Sequence, residues 1–506
     1  MRLPFPERVP FKSLVYFAAA LCALQLFERT NPTFALCCFF FVLIAGVAFN
    51  IGGGMTHASG AYIFFFSVLG VILGLCWKAF LGEPADSNLQ VPLLTIYIYL
   101  AGISMMLVAV YLSRKVTRRH ALLGNILPDY KIQTAMIGCT VTAFLLASIE
   151  RLAPSGSGSF VSGLKQINHF FPLAIVLGVI HTIRRTGGRS SVSPGVLICG
   201  CIMFYDGLIG FSKEGMLAPI ACYVIAAASQ GYRFSKVQIA AGILGVVFIF
   251  RYLVPYAQIG RNYRGNQSEA DTVKIAYTLM TNLGQLRQEY LESSVESYDL
   301  QLYRYFDTPQ GFFDRLQMIS IDDALNQNTE QFGTFGTLPL LQAFENIIPH
   351  FIWKNKPALS FGNTFAHQIG ILGQEDTSTG ISFTSVSTAF HMAGWTGIFV
   401  IAPPLWFILF CVFDSICGDV RRTPWGLVVL AIFGHTGPEG DLPTIIYMFS
   451  VGAFGIALAS ILTAYLMPII GTFFIGPEGV GLKPRAPVRS IPRRLLPASE
   501  IESPAT

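Results

Sequence analysis

The sequence predicts an all-α polytopic membrane protein of about twelve transmembrane helices with one large, partly helical loop on one side. Three observations predict it. The 506 residues are 53% hydrophobic and only 12% charged, with a mean hydropathy of +0.55. Globular domains are about one quarter charged, so an ordinary soluble enzyme, a disordered chain and a secreted disulfide scaffold are excluded. Apolar runs near the roughly 20 residues needed to cross hydrocarbon recur along the chain. The charge is also sorted. Residues 258–384 hold 8 Lys/Arg against 14 Asp/Glu, a net −6, while the rest is net +11. The overall +5 is therefore not a nucleic-acid footprint but an acidic loop set against basic membrane-proximal segments.

The expected spans centre on residues 13–29, 33–50, 60–80, 91–113, 134–150, 167–183, 194–212, 214–231, 237–257, 386–413, 425–443 and 445–475. The first follows basic residues, as a signal peptide does, but no small-residue cleavage motif follows it, so it is kept as a helix. The last is long enough to run on as an interfacial helix. Basic clusters lie at Arg114, Lys115, Arg118, Arg119 and Lys131, at Arg184, Arg185 and Arg189, at Arg233 and Lys236, and at Arg421 and Arg422. A further cluster follows at Lys483, Arg485, Arg489, Arg493 and Arg494. All fall on one side if the chain starts in the cytoplasm and crosses twelve times. The expected division is a membrane bundle of about nine spans over 1–257, an extracytoplasmic loop over 258–384, about three spans over 385–475, and a disordered cytoplasmic tail over 476–506. Both termini are then cytoplasmic, in a multi-pass membrane protein. The 10 Cys lie mostly within apolar runs, without CxxC or His-rich spacing. No disulfide framework or structural zinc site is expected.

The loop of about 125 residues is far longer than a connector and is expected to fold or to act. Helical spacing marks 272–291 and 339–348, and Gly333-Thr334-Phe335-Gly336-Thr337 reads as a flexible joint. The stretch 347–357 brackets His350, Trp353, Lys354 and Lys356 between Pro349 and Pro357. Such a segment is either an interfacial anchor or a substrate contact.

Several charged residues stand where lipid makes them costly. Lys213 and Glu214 form a tight charged turn between two spans. Arg251 interrupts the apolar run 239–256, and Arg261 and Arg264 open the outer loop. If the span continues, the three arginines share a helical face. His435, Glu439 and Asp441 break the penultimate span at its outer end, where irregular backbone is tolerated only against protein or water. His391 and His367 end the outer loop. For each the plain alternative is structural: snorkelling for the cations, a polar turn or a metal site for residues 435–441, and packing for the histidines. There is no Walker loop, dinucleotide-binding glycine pattern or Gly-x-Ser-x-Gly elbow in a suitable context, so nucleotide hydrolysis is not expected to drive the chemistry.

The stretch Ile348-Pro349-His350-Phe351-Ile352-Trp353-Lys354-Asn355-Lys356-Pro357 resembles one in bacterial Wzy-type O-antigen and oligosaccharide repeat-unit polymerases. His350 stands where that family has arginine. A second likeness is Thr388-Ala389-Phe390-His391-Met392-Ala393-Gly394-Trp395-Thr396-Gly397, with Thr388 at the family's acidic position and Met392 at its asparagine. A third is Phe211-Ser212-Lys213-Glu214-Gly215. The resemblance implies an inverting glycosyltransferase of GT-C-like plan, needing no metal and no cofactor. It would act on undecaprenyl-diphosphate-linked oligosaccharides at the periplasmic face, building O-antigen or exopolysaccharide. Membrane lipids, a chain-length regulator and a flippase are the partners it implies; nucleic acid is not among them.

Breaking a sugar–diphosphate bond requires fixed cations near the leaving group and a proton acceptor for the incoming hydroxyl. Lys213, Arg251, Arg261, Arg264, His350, Trp353 and Lys356 are the candidates for binding diphosphate and glycan. Glu439, Asp441 and His391 are the candidates for catalysis. The competing readings are an O-antigen ligase, a transporter or flippase of lipid-linked glycan, and a non-catalytic membrane scaffold.

Overall fold

The computed structural model describes residues 1–118, 120–152, 168–263, 269–296, 304–311, 313–348, 352–353, 361–373, 375–376 and 379–475. Among the described residues the chain is helical, and its β pairing is a single isolated bridge between Arg2 and Arg233. Described before the long loop are α1 (Phe11–Phe27), α2 (Pro32–Ile51), α3 (Ala58–Leu81), α4 (Pro92–Val116), α5 (Ile132–Leu152), α6 (Phe170–Thr186), α7 (Pro194–Ile209), α8 (Lys213–Ser229) and α9 (Lys236–Tyr263). The loop contains α10 (Glu269–Thr281), α11 (Leu283–Glu296), α12 (Ile319–Phe332), α13 (Leu338–Glu345) and α14 (Phe361–Gln368). After it come α15 (Ser385–Cys417), α16 (Pro424–Glu439), α17 (Leu442–Tyr465) and α18 (Met467–Ile475). Arg264, His350, Lys356 and the tail 476–506 lie outside the described residues.

Among the described residues seven helices are long and apolar enough to cross a membrane: α2, α3, α4, α5, α9, α15 and α17. The other five expected spans meet α1, α6, α7, α8 and α16, each 16 or 17 residues long. A 17-residue helix rises about 25 Å, just under the hydrocarbon thickness of about 30 Å. Length and apolarity therefore mark seven candidate spans among the described residues, and the count of twelve remains an expectation. The last expected span breaks at Leu466 into α17 and α18. α18 packs along α5, so it does not lie free as an interfacial helix.

Polar contacts sort the connections into two ends. At one end Ala85 N donates to Thr30 Oγ1 at 2.8 Å, and Asn88 Nδ2 donates to Asp307 Oδ1 at 2.7 Å. At the other end Leu122 N donates to Ser415 O at 2.8 Å, and Val420 N donates to Thr56 O at 3.0 Å. There too the N-terminal ammonium donates to Phe234 O at 2.7 Å, and Arg421 pairs with Glu7 at 2.6 Å. The second end collects the short basic loops, so the pattern read as positive-inside is also a spatial grouping.

The core is built round α6, of whose 17 residues 12 are buried. A helix apolar on every face can be surrounded on every face. α9 differs: it is largely exposed. It joins α10, α11 and the α7–α8 turn in a separate apolar cluster that includes Phe211, Tyr256 and Leu286.

The long loop is fastened by α12, whose Asp322 and Asp323 are fully buried. Asp322 accepts from the Thr384 backbone N–H at 3.1 Å, from the Thr384 hydroxyl and from the Tyr99 hydroxyl at 2.6 Å. Asp323 accepts from Gln90 N, from Val91 N at 3.2 Å and from Thr95 Oγ1 at 2.8 Å. Thr384 and Val91 are the capping residues of α15 and α4. Two adjacent carboxylates thus satisfy orphan donors at the starts of two spans.

Candidate functional site

The site grows from the turn between α7 and α8. Phe211 takes φ 46°, a left-handed conformation that a bulky side chain rarely adopts. Its neighbours hold it there. Its ring is buried against Tyr256, with centroids 5.4 Å apart. A Cβ on Gly260 would lie 2.1 Å from the same ring, so glycine is needed there. The Tyr256 hydroxyl donates to Leu208 O at 3.0 Å. Ser212 then starts α8, accepting from Gly215 N at 3.1 Å. α7 and α8 touch backbone to backbone: a Cβ on Gly207 would meet the carbonyl carbon of Gly215 at 2.4 Å.

Lys213 and Glu214 are the first residues of α8. Lys213 Nζ donates to Gln258 Oε1 at 3.4 Å, which ties the turn to the C-terminal end of α9. Arg261 directly follows Gly260, so its backbone borders the same turn. α16 packs beside α8. Its His435 stands between two carboxylates: Nε2 lies 3.5 Å from Glu214 Oε2, and Nδ1 lies 3.5 Å from Glu439 Oε2. The side chains of Glu214, His435 and Glu439 are 61%, 39% and 36% exposed. They are anchored and still open to a ligand. One imidazole with a carboxylate on each ring nitrogen can accept a proton on one side and release it on the other.

Lys213, Glu439 and the start of Arg261 are therefore gathered by three helices at one end of the bundle. The stretch expected to be irregular is mostly not: 435–439 is the last part of α16, with Pro438 inside it, and the break is confined to Gly440 and Asp441. The i,i+4 spacing that puts His435 over Glu439 depends on this helical turn.

The remaining candidates are placed elsewhere or otherwise engaged. Asp441 starts α17, accepting from Thr444 N at 2.8 Å and from the Thr444 hydroxyl. Thr388 Oγ1 accepts from Leu442 N at 3.0 Å. His391 is buried, with Nδ1 2.8 Å from Thr329 Oγ1 and Nε2 3.0 Å from Gln368 Oε1, and with the Phe335 and Phe365 rings against it. It joins α12 and α14 to α15. The joint 333–337 is pinned beside it, since Phe335 N and Gly336 N donate to His391 O and Met392 O. Gly394, at φ 60°, marks a kink in α15. Arg251 is exposed on α9, its guanidinium 5.9 Å from the Tyr252 ring centre. It lies about 10 Å along the helix from Gln258. Trp353 is exposed at a bend.

The sequence reading missed Asp322 and Asp323, whose carboxyls burial pushes upward, Asp322 to about 6. It also missed Asp414 at the opposite end, which accepts from Ser59 Oγ at 2.6 Å and from Ser59 N at 3.1 Å. Among the described residues no group of three or more His, Cys, Asp and Glu is arranged to hold a metal ion. Comparison with family models, with curated proteins and with solved structures finds no match.

Proposed function

We propose that this membrane protein polymerises undecaprenyl-diphosphate-linked oligosaccharide repeat units into O-antigen or exopolysaccharide at the periplasmic face of the inner membrane. The observation that carries the reading is His435 set between Glu214 and Glu439 beside Lys213, at the end opposite the basic loops. Acid–base groups and a fixed cation together are what glycosyl transfer from a lipid diphosphate requires. The acceptor is the non-reducing end of a second lipid-linked unit. Its hydroxyl oxygen attacks the anomeric carbon of the growing chain from the face opposite the diphosphate. A C–O bond forms, the bond to the diphosphate oxygen breaks with its electron pair, and configuration inverts. The hydroxyl proton passes to the His435–Glu439 pair. Lys213 and Arg261 offset the charge that grows on the departing diphosphate, Lys as a point charge and Arg through its planar fork. A flippase supplying the lipid-linked unit and a chain-length regulator are the partners of this role.

The test replaces Glu439 by Gln and His435 by Ala in the native strain, with membrane levels followed by immunoblot and glycans resolved by length. Lipid-linked single repeats should accumulate and long chains disappear in both variants. Long chains of normal distribution in both would overturn the proposal. Loss of all repeats from the outer face, singles included, would point to transport of the lipid-linked unit instead.

A further inference from the structure

A cavity of about 490 Å³ opens at the end of the bundle that carries the basic loops. It lies where α6 ends and α7 begins, against the first turns of α5. Its polar lining includes Gln133, His181, Arg185, Ser190 and Ser193, with Gly195 in the first turn of α7. Among the described residues no carboxylate lines it.

Two adjacent arginines here have different surroundings. Arg184 pairs with Asp129 at 2.6 Å and donates to Gln230 Oε1 at 3.2 Å. Arg185 turns to the cavity and has no acidic partner among the described residues. His181 lies one helical turn before it on the same face. Its Nε2 is buried and has no hydrogen-bond partner among the described residues. A buried polar atom left unpaired is costly, and a ligand that bonds it removes that cost. The start of α7 adds to this. Pro194 carries no N–H, and Ser193 Oγ accepts from Val196 N at 3.4 Å. That leaves the Gly195 N–H, at a position with no intrahelical acceptor, at the positive end of a 16-residue helix.

We propose that this cavity binds a phosphate group, carried by the headgroup of an anionic phospholipid in the leaflet on the basic side. Arg185 supplies the permanent charge and a planar pair of donors. His181 Nε2–H and the Gly195 N–H supply neutral donors, and Gln133, Ser190 and Ser193 supply adaptable ones. The volume takes a whole headgroup rather than a bare ion, and basic pockets between spans on the cytoplasmic side suit acidic headgroups. The site is independent of the polymerase reading, because it lies at the other end of the bundle from His435.

The test uses the full-length protein purified in detergent. It is titrated separately with short-chain phosphatidylglycerol, phosphatidylcholine and inorganic phosphate, and read by thermal shift and by native mass spectrometry. Phosphatidylglycerol should raise Tm and stay bound, at least about tenfold more tightly than phosphatidylcholine. Arg185→Gln should weaken its binding about tenfold or more, the loss of a charge-assisted hydrogen bond, while Arg184→Gln leaves it unchanged. Gln133→Leu provides the same reading without touching a charge, should Arg185→Gln fold poorly. Saturation by inorganic phosphate without retention of phosphatidylglycerol would keep the phosphate site and overturn its lipid source. Equal retention of phosphatidylglycerol by wild type, Arg185→Gln and Gln133→Leu would overturn the site itself, as would the absence of any shift with all three probes.

Discussion

The Tyr99 hydroxyl donates to Asp322 across 2.6 Å, and this bond seats the long loop on the helical bundle. Tyr99 belongs to α4 and Asp322 to α12, and both are fully buried. The carboxylate also accepts from the Thr384 hydroxyl and backbone N–H, so the same group fixes the start of α15. Tyr99→Phe removes one donor and keeps the ring. A buried carboxylate short of a donor costs about 1–3 kcal/mol, so a clear drop in melting temperature is expected, with extra proteolysis in the outer loop. An unchanged melt would show that the bond contributes nothing to docking.

The same carboxyl makes docking depend on pH. Burial raises Asp322 from 3.8 to about 6, so the docked form holds its proton where the undocked form has lost it. The contribution is fully present below about 4 and is lost as pH rises through about 6. At about 1.4 kcal/mol for each unit, the difference is worth roughly 3 kcal/mol. The groups bonded to it are Tyr99 and Thr384, and Asp323 beside it is raised in the same direction. Thermal stability between pH 7 and pH 5 should therefore rise as pH falls, and Asp322→Asn should flatten that slope. A slope of the same size in the variant would assign the effect to another group.

Much of the architecture was legible because lipid imposes strong rules. Apolar length marks α2, α3, α4 and α15, and basic residues such as Arg114 and Arg184 mark one end. Lys213 and Glu214 stood out because two charges between adjoining spans are conspicuous. His435 and Glu439 stood out as polar residues that break an apolar run, but the helical turn that pairs them was expected to be irregular. Their meeting with Glu214 was not legible, because nothing local dictates that α8 packs beside α16. Asp322 and Asp323 looked like ordinary solvated acids: the donors that need them belong to Gln90, Thr95, Tyr99 and Thr384, far away in sequence. His391 was read as a candidate base for the opposite reason. A polar residue in an apolar run attracts notice, and the sequence does not display the Thr329 and Gln368 groups that engage it.

The turn that carries Lys213 offers a test of positioning without touching a charge. Gly207 faces Gly215 so closely that a Cβ would sit 2.4 Å from its carbonyl carbon. Gly207→Ala forces α7 from α8 and moves Ser212, Lys213 and Glu214 together. Overpacking of this kind costs about 1–3 kcal/mol. Chain extension should fall at least about tenfold, since small misplacements of reacting groups are expensive, with the protein still in the membrane. Gly200→Ala is the control, because nothing lies within 4 Å of a Cβ there. Equal activity of the two variants would show that the turn tolerates displacement.

If Glu214 and Glu439 act through His435, the three groups should behave as one unit. Each carboxylate reaches a different ring nitrogen at 3.5 Å, so removing the imidazole deprives both of their common partner. His435→Asn alone should reduce the rate of chain extension by about 10²–10⁴, the range of general acid–base catalysis. Adding Glu214→Gln to that variant should then cost little more, although Glu214→Gln alone is damaging. Such non-additivity is the signature of groups that share a step. The measurement is the rate of polymer formation in membranes supplied with lipid-linked single repeats, normalised to protein level. If the two losses multiply instead, Glu214 works independently of His435, and its place beside the imidazole reflects only the packing of α8 on α16.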